Sequence, residues 1–136
     1  MAGTLKLEIV TPVEIAYSAD VERVTLPAVT GQIGIYPMHV PLLTRMVPGE
    51  MIVRKSGRDE FLAVGEGLVE VTSDRVTIAT DMAIAVEKID EALVEEARRR
   101  AEARLRDKIS DEEVATVNAS LARSLAQLHV KTRHRR

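Results

Sequence analysis

The sequence contains no cysteine and no tryptophan, and it has only one phenylalanine and two tyrosines. Without cysteine the chain can form no disulfide, no thiolate nucleophile and no cysteine-ligated zinc site. Proteins that bind single-stranded nucleic acid stack bases on aromatic side chains. The aromatic content of 2% therefore argues against that class, and we expect no nucleic-acid partner. The core must be filled by aliphatic residues, which a hydrophobic content of 46% allows.

Long apolar runs are also absent from the sequence. No run approaches the roughly 20 residues that a helix needs to cross a bilayer. The stretch MAGTLKLEIVTPVE at the start has no apolar segment of the kind that a secretory signal contains. We therefore expect no direct membrane insertion, and any association with a membrane must go through a partner.

Candidate catalytic groups are scarce. The three histidines stand at positions 39, 129 and 134, and no spacing resembles the H-E-x-x-H pattern of a metal site. The acidic pairs at 95–96 and 112–113 lie in charge-rich helical stretches, where they are typical of solvated helix faces. No pairing of a nucleophile with a base is visible, so we expect neither catalysis nor a metal or cofactor.

The segment GQIGIYPMHVPLL, residues 31–43, contains two glycines, two prolines and one histidine among aliphatic residues. Its glycines match neither a phosphate-binding P-loop nor a dinucleotide-binding turn, and Pro37 and Pro41 exclude a helix. Two hypotheses remain open at this point. The segment is either a small-ligand loop with His39 as its working residue, or a structural joint in which His39 makes a local hydrogen bond.

Charge is divided unevenly along the chain. Residues 1–86 contain 7 basic and 11 acidic residues, a net charge of −4, whereas residues 87–136 contain 12 basic and 10 acidic residues, a net charge of +2. Four of the basic residues fall in the last eight, HVKTRHRR. We interpret this tail as a solvated, frayed end; contact with phosphate groups is the alternative.

Up to about residue 80 apolar and polar residues alternate, which is typical of strands with one buried face. In TLKLEIV the apolar face consists of Leu5, Leu7 and Ile9. We expect VERVTL to form one alternating strand, with Val21 on the opposite face from Val24. The segments SGRD and SD mark hairpin turns, the first of four residues, and GEG at 65–67 marks a turn or bulge. Turn signals every 8–12 residues predict an all-β sandwich or flattened barrel.

From residue 87 onward there is no glycine or proline and the period becomes helical. Asp90 is the predicted N-cap of a first helix, and Ser110 with Glu113 forms a capping box for a second. We predict an αα-hairpin of two helices, each of roughly 17–20 residues, joined by about five residues. The predicted apolar stripes are Ile89, Leu93, Ala97, Ala101 and Leu105 in the first helix, and Val114, Val117, Leu121, Leu125 and Leu128 in the second, with Ala115, Ala119, Ala122 and Ala126 on or beside another face.

Alanine-rich seams bury little apolar area, so they stabilise a helix pair less than leucine-rich seams. We therefore expect a hairpin that either leans on the β-domain or leaves it and docks elsewhere. The predicted organisation is a sandwich over residues 1–86, followed by a helical hairpin with a basic tail over residues 87–136.

The stretch VTLPAVTGQIGIYPMHVPLLTRMVPGEMIV resembles the epsilon-subunit family of bacterial F-type ATP synthases, the counterpart of the mitochondrial delta subunit. FLAVGEGLVEV, VTIATDMA and the helical part from EKIDEA resemble the same family, so the resemblance covers nearly the whole chain. Two departures are Ala28 and Met38, where the family prefers or often has glycine. The positions that carry the motif are Val24, Pro27, Gly31, Gly34, Ile35, Pro37, His39, Pro41, Leu42, Leu43, Thr44, Pro48 and Gly49.

The resemblance implies a sandwich of about ten short strands, followed by a two-helix hairpin, in a rotor-stalk subunit without its own catalysis. It implies that the sandwich links the gamma subunit to the c ring. It also implies that the hairpin can extend into the alpha/beta head of F1 and restrain ATP hydrolysis. Its expected location is peripheral, on the cytoplasmic side of the cell membrane. A stand-alone small-ligand binding protein that uses the 31–43 loop is the alternative.

The resemblance also implies particular contact residues. The expected interface with gamma and the c ring consists of Gly31, Gly34, Ile35, Pro37, His39, Pro41 and Leu42. The expected contacts of the hairpin with the beta subunits are Arg98, Arg99, Arg100, Arg104, Arg123 and the basic tail.

Some family members bind ATP on the hairpin through the motif I/L-D-x-x-R-A. In this chain Ile89 and Asp90 match that motif, but Leu93 replaces its arginine and Val94 its alanine. The loss of the guanidinium removes a bidentate phosphate ligand. We therefore expect weak or absent ATP binding, and micromolar affinity in titration calorimetry of the isolated chain would contradict this expectation.

Overall fold

The computed structural model describes residues 3–134. A β-sandwich is followed by a short 3-10 helix and two α-helices, as predicted. The strands are β1 (Leu5–Val10), β2 (Ile15–Val21), β3 (Arg23–Ala28), β4 (Gly31–Ile35), β5 (Leu42–Met46), β6 (Gly49–Lys55), β7 (Arg58–Val64), β8 (Gly67–Val71), β9 (Arg75–Thr80) and β10 (Ala83–Ala85). The 3-10 helix spans Val86–Lys88, and the α-helices are α1 (Glu91–Leu105) and α2 (Asp111–Arg133).

Hydrogen bonds join the strands in the order β10-β7-β6-β3-β5-β8-β9-β1-β2, with β4 added to β3. Only the pair β1–β9 is parallel among the described residues. The sheet folds over into a flattened sandwich around one core of seventeen buried residues, all of them Val, Leu, Ile, Met or Ala. The predicted face of Leu5, Leu7 and Ile9 is part of this aliphatic core.

The segment VERVTL is not one alternating strand, so that prediction is wrong. Strand β2 ends at Val21, the chain bends at Glu22, and β3 begins at Arg23. Because the bend interrupts the alternation, Val21 and Val24 are both fully buried. The Glu22 amide donates to the carbonyl of Arg54 at 2.7 Å, which holds the bend against the neighbouring strand.

The turn between β6 and β7 is shorter than the predicted four-residue turn. Only Ser56 and Gly57 lie outside the strands, and both have positive φ, 52° and 76°. Two consecutive residues with positive φ form a turn whose twist matches that of the flanking strands. The remaining two residues of SGRD, Arg58 and Asp59, therefore belong to β7.

Both predicted helix starts are confirmed by the cap geometry. The Asp90 carboxylate accepts a hydrogen bond from the Leu93 amide, and the Ser110 hydroxyl oxygen accepts one from the Glu113 amide. The connection at 106–110 has the five residues that were expected. The lengths differ from the prediction, since α1 has 15 residues and α2 has 23.

The predicted apolar stripes are wrong at Leu93 and Leu125, which are 63% and 48% exposed. A helix advances about 100° per residue, so a four-residue repeat drifts about 40° at each step and leaves the contact face. The face that is buried in α1 is instead centred on Val94 and Ala101. In α2 the buried residues are Ser124, Ala126 and Val130.

The basic tail is not a frayed end over its described part, so that interpretation is wrong for residues 129–134. Helix α2 continues to Arg133, and Val130 is completely buried. Residues 135 and 136 of the tail lie outside the described residues. Within residues 3–134, no helix is both long enough and apolar enough to cross a membrane.

Candidate functional site: an apolar loop and a docked hairpin

The segment 31–43 is divided between two strands and a loop. Gly31 opens β4 with φ of 119°, a conformation that favours glycine. Gly34 lies inside β4 opposite Thr25. The loop proper covers residues 36–41, and Leu42 begins β5.

Two aliphatic residues of the expected interface, Ile35 and Leu42, offer little apolar surface to a partner. Ile35 is fully buried in the sandwich core, and Leu42 packs against that core. Ile35 is therefore a core residue, which corrects its assignment to an interface. Three residues between the motif positions, and the motif residue Leu43 outside the expected interface, are exposed. We call them the apolar loop patch: Tyr36, Met38, Val40 and Leu43, with exposures of 55%, 81%, 71% and 65%.

Three of the four patch residues, Tyr36, Met38 and Val40, were missed by motif matching, although their signal was present in the sequence. Strand alternation that buries Ile35 sends Tyr36 to the surface. Large apolar side chains that cluster at the surface mark interaction sites, whereas single ones do not. Arg23 lies over the Tyr36 ring at 5.9 Å and fixes one edge of the patch.

His39 makes a local contact with the backbone of the next residue. Its Nδ1 donates to the carbonyl of Val40 at 2.6 Å. This hydrogen bond fits a structural histidine within the loop. Among residues 3–134 no group of three or more His, Asp or Glu side chains could hold a metal ion.

Met38 has φ of 66°, the left-handed conformation that strains residues with a Cβ atom. Its amide donates to the carbonyl of Ser73 at 2.8 Å, which ties the loop to the β8–β9 turn. The replacement Met38→Gly should raise the free energy of unfolding by about 0.5–1 kcal/mol, because relief of strain exceeds the added entropy of the unfolded chain. Urea denaturation measures this change.

The control for that prediction is Met38→Ala. Alanine keeps the Cβ atom and the strain, and the exposed methionine side chain loses few contacts. We expect its stability to stay within about 0.5 kcal/mol of the parent chain. A Met38→Gly chain no more stable than Met38→Ala would contradict the strain at this position.

The hairpin docks on the outer face of the sandwich, where α2 packs on β6 and β7. The apolar part of this contact is a cluster of four buried residues, Ala63, Ile89, Val94 and Val130. Four partly buried residues pack against it: Met82, Ile84, Val86 and Leu128. Four buried residues, one of them alanine, hold the hairpin far less strongly than seventeen hold the sandwich. The docking contact is thus held by a smaller apolar cluster than the one that holds the sandwich together.

Polar contacts supplement the apolar cluster. Arg123 donates to Asp81 at 3.0 Å, and Lys131 donates to the carbonyl of Val86 at 3.2 Å. Farther along α2, Arg133 and His134 both contact Glu50 of β6. Each of these contacts joins α2 to the sandwich or to the segment that connects the sandwich with the hairpin.

Four of the five arginines predicted from sequence lie on α1 and are paired within the hairpin. Arg98 bonds to Glu95 and Glu102, and its hydrogen bond holds the pKa of the Glu95 carboxyl below its usual range. The others follow the same pattern: Arg99 pairs with Glu95, Arg100 with Glu96, and Arg104 with Asp107 and Glu113. These pairs can move with the hairpin as a unit, whereas the pair formed by Arg123 cannot.

The two residues of the nucleotide motif have structural roles. Ile89 is buried in the docking cluster, and Asp90 caps α1. Leu93, which replaces the arginine of the motif, points into solvent with 63% exposure. Position 93 thus holds an exposed aliphatic side chain in place of the guanidinium of the motif.

A cleft of about 920 Å³ lies between the β1–β2 turn, β7 and β10, and no residue of the 31–43 segment lines it. The Tyr17 hydroxyl donates to Glu60 across this region at 2.7 Å. Burial, and then the hydrogen bond and charge of Glu60, raise the pKa of Tyr17 well above its usual range. The cleft gives no support to a ligand site built on His39.

Comparison with family models identifies both parts of the chain. Residues 4–86 match the beta-sandwich domain of the ATP synthase delta/epsilon chain. Residues 87–132 match the long alpha-helix domain of the same chain.

Curated relatives and solved structures agree with these matches. The ATP synthase epsilon chain of Halorhodospira halophila is 41% identical over 128 residues, which cover 93% of this chain and 91% of the relative. That of Alkalilimnicola ehrlichii is 39% identical over 135 residues, with coverage of 98% and 96%. A chain in the mitochondrial ATP synthase of Euglena gracilis, in its OSCP/F1/c-ring assembly, has the same fold, with a TM-score of 0.71 at 20% identity and coverage of 88% and 76%. One in the central stalk and c ring of the Tetrahymena thermophila enzyme has a TM-score of 0.60 at 15% identity, with coverage of 95% and 94%.

Proposed function

The chain belongs to the delta/epsilon family of ATP synthase chains, and from this premise we propose that it joins the gamma subunit to the c ring and restrains ATP hydrolysis through its hairpin. It is an accessory subunit of the enzyme and not itself a catalyst. The observation that carries the proposal is the division of the chain into a well-packed sandwich and a lightly docked hairpin.

The apolar loop patch supports the link to gamma and the c ring. It presents three large apolar side chains on a loop that the Met38–Ser73 hydrogen bond fixes in place, and a fourth, Leu43, on the strand that follows. A fixed apolar surface suits a permanent contact between subunits, because little conformational entropy is lost on binding. The proposed contact therefore includes Pro37, His39 and Pro41, which shape the loop, and the patch residues between them. Gly31, Gly34 and Leu42 support it from the flanking strands.

The docking contact supports a hairpin that can leave the sandwich. Two packings of one element interconvert when their free energies differ by only a few kcal/mol. A cluster of four buried residues is compatible with so small a difference. We propose no alternative fold for the helices themselves, since their caps and ion pairs are local and persist on release.

The arginines of the hairpin supply the proposed contact with the beta subunits. Arg99 and Arg100 are 74% and 67% exposed, so both remain accessible although they are paired. Release of the hairpin frees Arg123 from Asp81 and makes it a further contact. Arg98 and Arg104 complete the same basic surface. In this proposal the chain is peripheral to the cell membrane, on its cytoplasmic side.

Co-purification tests the proposed place in the enzyme. A tagged full-length chain, expressed together with gamma, should retain gamma through purification. Substitution of Met38, Val40 and Leu43 by Asp should abolish this retention of gamma. The matched control replaces the exposed Val13, far from this loop, by Asp. A monomer that carries a bound small molecule and does not bind gamma would favour the ligand-binding alternative.

A further inference from the structure

Glu50 is a buried carboxylate on the outer face of the sandwich. Its neighbours on β6, Met51 and Val53, belong to the core, so alternation along the strand directs Glu50 away from the core. Its side chain is nevertheless only 7% exposed. Helix α2 packs on this face, so the docked hairpin provides the cover.

Two donors from the end of α2 hold the two oxygens of this carboxylate. Arg133 Nη1 donates to Oε1 at 3.0 Å, and His134 Nε2 donates to Oε2 at 2.6 Å. The His134 ring also packs against Phe61 of β7, with ring centroids 4.0 Å apart. Arg133 and His134, which are 83 and 84 positions from Glu50 in sequence, thus occupy both oxygens of its carboxylate.

A buried carboxylate makes docking conditional on its partners. Burial of an unpaired charge is unfavourable, whereas a charge that is paired and hydrogen-bonded can be covered at little net cost. The hairpin can therefore cover Glu50 only when the end of α2 is in register with it. An exposed ion pair would impose no such condition, because water solvates each charge separately.

We propose that Glu50, held by Arg133 and His134, is the latch that sets the fraction of chains with a docked hairpin. The latch lies at the far end of α2 from the hairpin connection and beside Val130, a completely buried residue of the docking cluster. Loss of the latch frees the end of α2 first, and the remaining contacts of the cluster then separate. The inference rests on the proposed mobility of the hairpin and adds the group that controls it.

Hydrogen exchange followed by mass spectrometry on the isolated full-length chain tests the latch. Arg133→Gln with His134→Gln leaves Glu50 buried without its donors, and should accelerate amide exchange in α1 and α2 at least tenfold while the strands keep their protection. The matched control is Asp59→Asn, which removes one carboxylate from its pairs with Arg23 and Arg54, both of them on the sheet and not on the hairpin. Unchanged exchange in α1 and α2 of the Arg133→Gln, His134→Gln chain would overturn the proposal.

A second comparison identifies Glu50 as the group through which those donors act. Glu50→Gln alone should also change exchange in α1 and α2, and combination with the two donor substitutions should add less than the product of the separate effects. Fully multiplicative effects would overturn the assignment. Because exchange is measured without the other subunits, the result is independent of whether the hairpin restrains hydrolysis.

Discussion

Substitution of Val130 by Asp should release the helical hairpin while the sandwich stays folded. Val130 is completely buried in the docking cluster with Ala63, Ile89 and Val94. A carboxylate at this position lies among the apolar side chains of the cluster and loses its hydration on docking. The penalty of about 3 kcal/mol or more exceeds what so small a cluster can offset, and it shifts the docking equilibrium by a factor of about 100 or more.

The measurement is amide exchange in two groups of peptides from the Val130→Asp chain. Helix amides should exchange much faster, since an undocked alanine-rich hairpin has few tertiary contacts to protect it. Amides of the strands should be unchanged. The matched control is His129→Asp, which places the same charge one residue earlier on the exposed face of α2. Equal protection of the helices in the Val130→Asp and His129→Asp chains would show that this contact does not hold the hairpin.

Gly67→Ala should have the largest effect on the sandwich. A Cβ atom at this position would lie 2.5 Å from the carbonyl oxygen of Ala79 and 3.0 Å from the Cβ atom of Thr80. Gly67 and Thr80 are directly opposite in the β8–β9 pair, so only a shift of backbone can relieve the overlap. We expect a loss of about 3 kcal/mol in the free energy of unfolding, at the upper end for overpacked cores.

The control for Gly67→Ala is another glycine within a strand. A Cβ atom at Gly34 would come no closer than 3.7 Å to its nearest neighbour, an ordinary contact. Gly34→Ala should therefore change stability by less than about 0.5 kcal/mol. Urea denaturation compares the two chains, and a Gly67→Ala chain as stable as Gly34→Ala would contradict the close approach of β8 and β9.

Close neighbours also explain the two glycines of the segment GEG. Neither Gly65 nor Gly67 adopts a positive φ, so backbone conformation does not require glycine there. The requirement is space, because neighbouring atoms lie where a Cβ atom would be. A Cβ atom at Gly65 would lie 1.9 Å from Asp81 Oδ1. The missing side chain thus leaves room for the carboxylate that pairs with Arg123 of the hairpin. Sequence alone does not reveal this requirement, because Asp81 is distant along the chain.

Local signals determined most of what could be predicted. Alternation identified β1 and its buried residues, and the caps at Asp90 and Ser110 gave both helix starts, because each depends on residues within a few positions. The bend at Glu22 was missed since its amide is held by Arg54 from another strand. The turn at Ser56 was predicted too long because both of its residues accept positive φ.

The functional surfaces were harder to predict than the fold. Motif matching selected Ile35, which is core, and passed over exposed residues such as Val40, because a motif records which residues recur and not which are accessible. The end of α2 was interpreted as frayed since four basic residues suggest solvation. Its residues Arg133 and His134 instead contact Glu50, a partner more than eighty positions away that no local pattern indicates.

We propose above all that the hairpin of this accessory subunit restrains hydrolysis by the F1 head. The most direct test is the ATPase activity of the head reassembled with the full chain, compared with the head reassembled with a chain that ends at residue 86. We expect both chains to remain bound to gamma, and we expect hydrolysis to rise severalfold when the hairpin is absent. Equal hydrolysis rates in the two assemblies, with both chains bound, would contradict the account.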